Sequence, residues 1–126
     1  MSTIPLLVCD DSNMARKQLI RALPSNWPFR ISQATNGLEG LEAVRQGLGQ
    51  IVLLDLTMPE LDGFGVLAAM QSDPALKPIP LVFLSASAEP ERLEQGLLLG
   101  ARRYVTKPFN LARLHQLLQE LLPPGA

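Results

Sequence analysis

Three runs of this chain, Ile4 to Cys9, Ile51 to Leu54 and Pro80 to Leu84, are apolar at every position and no longer than a strand. A strand with one wet face alternates apolar and polar residues. A run with no polar member is covered on both faces, the condition of a central strand in a parallel sheet. Shorter strand candidates lie at Phe29 to Ala34 and Arg103 to Thr106. The segments between them carry helical spacing. Asp11 or Ser12 can cap a first helix with Ala15, Leu19, Ala22 and Leu23 on one side, ended by Pro24. A second starts near Leu38, carries Leu41, Val44 and Leu48, and is closed by Gly47 and Gly49. A third runs from about Phe64 to Gln71, and a fourth from Pro90, suited to a first helical position, to Gly100. The fifth repeats Leu111, Leu114, Leu117, Leu118, Leu121 and Leu122. Strand and helix thus alternate five times. That predicts an α/β fold, a doubly wound five-stranded parallel sheet with right-handed crossovers and five flanking helices.

At 126 residues the chain has room for one domain, and 47% apolar against 18% charged residues argues for a compact core rather than disorder. Cys9 is the only cysteine, which excludes an internal disulfide and a cysteine-based zinc site. A net charge of −1 gives no concentrated basic face, so no direct binding of nucleic acid is expected. No apolar run reaches bilayer length, and Met1 to Pro5 lacks the basic region and cleavage site of a secretory signal. A cytoplasmic protein without a membrane partner is expected.

In doubly wound sheets ligands bind at the carboxyl ends of the strands. The first predicted strand closes with Asp10-Asp11, the third with Asp55, the fourth with Ser85 and the fifth with Lys107. Singly, each has an ordinary reading: Asp11 as a helix cap, Asp10 as a solvated acid, Ser85 as a turn residue, Lys107 as a surface lysine. On one edge they form a set. Three carboxylates in one cleft repel by roughly 4 kcal/mol per pair at about 4 Å and an effective dielectric near 20. A cation among them resolves this. Oxygen-only ligation points to Mg²⁺ or Mn²⁺, with the shell completed by water and a backbone carbonyl such as that of Thr57. Asp55 beside a divalent cation, a lysine and a hydroxyl is equipped to attack phosphorus in line and become an aspartyl phosphate. Ser85 can then donate a hydrogen bond that exists only when the phosphate does, the differential contact a two-state switch requires.

Val8-Cys9-Asp10-Asp11-Ser12, Leu53-Leu54-Asp55-Leu56-Thr57-Met58-Pro59 with Asp62-Gly63, Leu84-Ser85-Ala86 and Val105-Thr106-Lys107-Pro108-Phe109 closely resemble, in order and separation, the receiver domain of two-component response regulators. The resemblance covers essentially the whole chain and implies the flavodoxin-like, CheY-like (βα)5 fold over residues 1–122. Residues 123–126 read equally as a tail or as the start of a linker. It further implies Asp55 as phosphoacceptor, Asp10, Asp11, Asp55 and the Thr57 carbonyl as Mg²⁺ ligands, Ser85 as switch hydroxyl, Lys107 as phosphate contact, and a cis peptide at Pro108. Tyr104 matches the aromatic that changes rotamer as the surface of helix four, strand five and helix five is remodelled; a Tyr half-buried at a sheet edge is the plainer reading. Thr57 and Ser87 match positions that adjust phosphate lifetime. The implied partners are a sensor histidine kinase or histidine phosphotransfer protein and a downstream protein or effector domain, with phosphorylation-dependent homodimerisation open. The domain would not be an enzyme acting on other substrates.

Two other classes compete. A haloacid-dehalogenase-type phosphatase also forms an aspartyl phosphate but needs a second Asp where Thr57 stands. A phosphate-independent docking receiver loses the acceptor, the acidic pair or the lysine, and all are present. Leu97-Leu98-Leu99 spans about 200° of a helix, so at least one leucine is expected in solvent, where it can belong to a binding patch. His115 is expected at the surface of the last helix.

Overall fold

The computed structural model describes residues 3–23, 27–55, 62–85, 90–106 and 111–121, with backbone alone at 85, 90–93, 106 and 111. Its elements are β1 (Ile4–Cys9), α1 (Asn13–Ala22), β2 (Phe29–Ala34), α2 (Gly37–Arg45), β3 (Ile51–Asp55), α3 (Gly63–Gln71), β4 (Leu81–Ser85), α4 (Pro90–Leu99), β5 (Arg103–Thr106) and α5 (Leu111–Leu121). The strands form one sheet in the order β2-β1-β3-β4-β5, every pair parallel.

The unbroken apolar runs are explained by what lies on either face. Alternate strand residues Leu7, Cys9, Val52, Leu54, Leu81 and Phe83 pack against Leu41 and Val44 of α2 and Val66, Leu67 and Met70 of α3. Their neighbours Ile4, Leu6, Val8, Ile51, Leu53, Val82 and Leu84 pack against Leu19 of α1 and Leu114, Leu117 and Leu118 of α5. Each fully buried aliphatic side chain contributes about 1.5–3 kcal/mol, so both faces hold the sheet. β4 begins at Leu81 rather than Pro80. Proline has no N–H for the ladder, and Pro80 instead accepts from the Val52 N–H at 3.0 Å.

Side-chain caps start the helices near the strand ends. Ser12 Oγ accepts from the Ala15 N–H (3.2 Å), Asn36 Oδ1 from that of Glu39 (2.8 Å), and Asp62 Oδ1 from that of Gly65 (2.9 Å). α2 stops three residues short of Leu48. Gly47, at φ 83°, turns the chain so that the Leu48 N–H reaches Ala43 O and its own N–H reaches Val44 O, both at 3.0 Å. Gly49 lies outside the helix; a Cβ there would sit 3.2 Å from Leu7 Cβ and Val52 Cγ2. α4 rests on the sheet through Gly96, where a Cβ would meet Phe83 Cε2 at 2.5 Å. With glycine facing inward, the next three residues fan outward. Leu97, Leu98 and Leu99 are 36%, 88% and 50% exposed, more than the single exposed leucine that helical geometry requires.

Candidate functional site

The winding of the sheet reverses between β1 and β3, since β2 follows β1 on one side and β3 lies on the other. Such a switch point opens a crevice beyond the carboxyl ends of the two strands. Cys9 pairs with Leu54 in the register, so the next residues, Asp10 and Asp55, emerge side by side. Asp10 is 2% exposed, Asp11 lies in solvent, and Asp55 is half-buried. Carboxylate oxygens of the three lie within 4.8 Å of one another. At that separation two full charges repel by about 3.5 kcal/mol at an effective dielectric near 20.

The turn carrying Asp10 and Asp11 is fixed from several directions. The Asp10 N–H donates to Ala34 O at 3.1 Å, and Asp10 Oδ1 accepts from the Ser12 N–H at 2.9 Å. The Asp10 carbonyl accepts from Arg16 Nη1 at 2.6 Å. Arg16 is only 8% exposed and also donates from Nε to Gln33 Oε1 (3.0 Å) and from Nη2 to Asn13 Oδ1 (2.9 Å). Neither Arg16 nor Gln33 is singled out by the sequence reading, although a signal was there. Arg16 stands three residues before Leu19 and seven before Leu23, a charge on the apolar stripe of α1, and a buried charge needs a set of partners.

Cys9 adjoins the cluster without joining it. Its thiol donates to Asn36 O at 3.2 Å. Burial, then the Glu39, Asp10 and Asp55 carboxylates, push the thiol up to about 12, so it stays protonated at neutral pH. The donor set is therefore three hard carboxylate oxygens without a thiolate, which fits a divalent cation of the oxygen-seeking kind.

Ser85 closes β4 opposite Thr106 of β5, on the same sheet edge, and the structure describes its backbone only. Thr57, Ser87, Lys107 and Pro108 lie outside the described residues. Tyr104 is half-buried, pairs with Phe83 in the register and packs against the core that includes Phe83 and Ala101. His115 differs from the surface position expected for it. It is half-buried, its Nε2–H donating to Ala22 O at 2.7 Å and its ring 5.3 Å from that of Trp27. An apolar groove of about 260 Å³, lined by Ile4, Gln50, Ile51, Ile79, Pro80 and Leu121, opens at the other end of the strands and holds no titratable side chain.

Residues 6–119 match the family model of the response regulator receiver domain. The chain belongs to that family. The receiver domain is 42% identical over 125 residues to the protein-glutamate methylesterase/protein-glutamine glutaminase 5 of Myxococcus xanthus, covering 97% of this chain and 36% of that protein. It is 32% identical over 120 residues to the transcriptional regulatory protein ZraR of Klebsiella oxytoca, covering 94% of this chain and 26% of that protein. It thus spans about a quarter to a third of these relatives, whose named activities belong to the longer chains. Among solved structures, the chemotaxis protein CheY4 of Vibrio cholerae superposes with a TM-score of 0.85 at 26% identity, over 96% of this chain and 100% of that one. The receiver domain of the Francisella response regulator 1452 does so at 0.81 and 27%, over 92% and 93%. The predicted doubly wound parallel sheet is therefore the fold of the receiver domain. Among the described residues no helix is long and apolar enough to cross a membrane.

Proposed function

We propose that residues 1–122 form a phosphorylation-controlled switch of a bacterial two-component pathway in the cytoplasm, with Asp55 as the group that becomes phosphorylated. The observation that carries this is the meeting of Asp10, Asp11 and Asp55 oxygens within 4.8 Å at the switch point of the sheet. Asp10, Asp11, Asp55 and the Thr57 carbonyl would hold Mg²⁺, or Mn²⁺ in its place; the bound cation would offset charge on the phosphoryl oxygens. Asp55 sits at a strand tip, so its carboxylate is aimed rigidly and pays little ordering entropy to approach phosphorus. Its oxygen forms the new P–O bond while the P–N bond of a partner's phosphohistidine breaks, the electron pair leaving on the imidazole. Lys107 supplies a positive charge to the phosphoryl oxygens, and Ser85 donates the hydrogen bond that reports their presence. Such a domain catalyses only its own phosphorylation and dephosphorylation.

The output face comprises α4, β5 and α5. Leu98 is 88% exposed, Tyr104 of β5 is half-buried against the core that includes Phe83, and Arg103 pairs with Glu120 at 3.9 Å across β5 and α5. An exposed ion pair of that length adds little stability, which suits a surface that must rearrange. We assign this face to contact with a downstream protein, an effector domain, or a second phosphorylated copy.

The test is phosphorylation by a small donor. Wild type incubated with acetyl phosphate and Mg²⁺ is expected to gain one phosphoryl group in its intact mass; EDTA or Asp55→Asn is expected to abolish the gain. No gain in wild type, or an equal gain in Asp55→Asn, contradicts the assignment.

A further inference from the structure

We propose that Arg16 is a positioning residue for the cation site, holding the Asp10-Asp11 turn so that both carboxylates face Asp55. The proposal rests on the reading of the acidic cluster as a divalent-cation site. Arg16 is the one buried cation among the described residues, and it touches the turn at its backbone: Nη1 donates to the Asp10 carbonyl at 2.6 Å. That carbonyl belongs to the peptide linking the two acids, so fixing it fixes the direction in which both leave the chain. The other donors anchor the guanidinium to different elements, Nε to Gln33 of β2 and Nη2 to Asn13 in the first turn of α1. The turn is thus tied to the strand beside it and the helix after it. A planar guanidinium can serve three acceptors in fixed directions at once, whereas a lysine ammonium on a flexible stem cannot.

Charge and orientation act on the cation in opposite directions. A fixed positive charge near the site repels Mg²⁺, so removing it alone would tighten binding. Loss of the preset turn would weaken binding, since the acids must then be ordered at the moment the ion arrives. Groups that orient metal ligands from behind are typically worth about 10–100-fold in affinity.

Titration of Mg²⁺ alone, followed by calorimetry, separates the two effects in wild type, Arg16→Met and Arg16→Lys. We expect Mg²⁺ affinity about 10–100-fold weaker in Arg16→Met and only partly recovered in Arg16→Lys. We also expect faster amide exchange at Asp11 and Ser12 in the Mg²⁺-free state. The rate of phosphorylation from acetyl phosphate should fall at low Mg²⁺ and return to within a few-fold of wild type at saturation. A folded Arg16→Met that binds Mg²⁺ as tightly as wild type, or more tightly, overturns the proposal. If Arg16→Met does not fold, Gln33→Leu, which removes only the Nε anchor, is decisive: a few-fold loss of affinity supports the role and an unchanged affinity overturns it. A wild type that binds no Mg²⁺ overturns the cation-site reading itself, an outcome distinct from failure of the Arg16 role alone.

Discussion

Asp10→Asn should stabilise the metal-free protein while impairing the site. Asp10 is 2% exposed, and its carboxylate lies within 4.8 Å of those of Asp11 and Asp55. Each full-charge pair at that distance is worth about 3.5 kcal/mol of repulsion at an effective dielectric near 20. Solvent around Asp11 screens one pair, and the nearby Arg16 guanidinium loses an attraction when Asp10 is neutralised. The amide retains the oxygen that accepts from the Ser12 N–H at 2.9 Å, so that hydrogen bond to the turn is kept. The net expectation is a gain of about 1–3 kcal/mol in EDTA. With an m-value near roughly 2 kcal/mol/M in urea, the midpoint rises by about 0.5–1.5 M. Mg²⁺ reverses the ranking in part. A tenfold excess over its dissociation constant stabilises wild type by about 1.4 kcal/mol, and Asp10→Asn should lose most of that increment. Urea titrations followed by circular dichroism, with EDTA and with Mg²⁺, read both halves. A variant no more stable than wild type in EDTA would show that the three carboxylates are already neutralised by protein partners, and the case for a cation there would fall.

Two further perturbations probe the frame around the site. Gly96→Ala places a Cβ 2.5 Å from Phe83 Cε2, inside a core where Phe83 is fully buried and its ring lies 5.6 Å from that of Phe64. Overpacking costs about 1–3 kcal/mol and better helix propensity returns up to about 1 kcal/mol, so a net loss of about 1–2 kcal/mol is expected in a urea titration. An unchanged or raised midpoint would mean that α4 is not seated on β4 through this glycine. Cys9 has its thiol pKa raised to about 12 from an ordinary value of 9.0, chiefly by burial. The unfolded thiol ionises near pH 9 while the folded one does not, so the stability this group contributes is complete below pH 9 and is lost as pH rises towards about 12. Cys9→Ala should flatten the fall of the urea midpoint above pH 9, and native Cys9 should resist a thiol reagent at pH 8 until denaturant is added. Rapid native labelling would contradict the burial.

The sheet was legible because its central strands are apolar on both faces, a pattern that excludes most alternatives. The acids were legible because they terminate those runs, and a polar residue at the end of an apolar strand has few places to be. What failed to show has a common cause. His115 reads as a surface residue and Arg16 draws no notice, because their types are usually solvated, yet each lies on or beside an apolar stripe and is held by distant partners, the Ala22 carbonyl for the first and Gln33 for the second. Periodicity locates a face, not the long-range hydrogen bonds that let a polar group occupy it. Leu48 fits the helical spacing of α2 but follows Gly47, whose positive φ ends the helix first. The three leucines after Gly96 are exposed because a glycine occupies the inward position, a contact that depends on how closely α4 approaches Phe83.

The proposed switch depends on one atom group, the Asp55 carboxylate. Wild type phosphorylated with acetyl phosphate and Mg²⁺, then reduced with borohydride and digested, should yield homoserine in place of aspartate at position 55 and at no other acid. Homoserine at Asp10, Asp11 or Asp62, or its absence from position 55 in a sample that carries phosphate, would contradict the assignment.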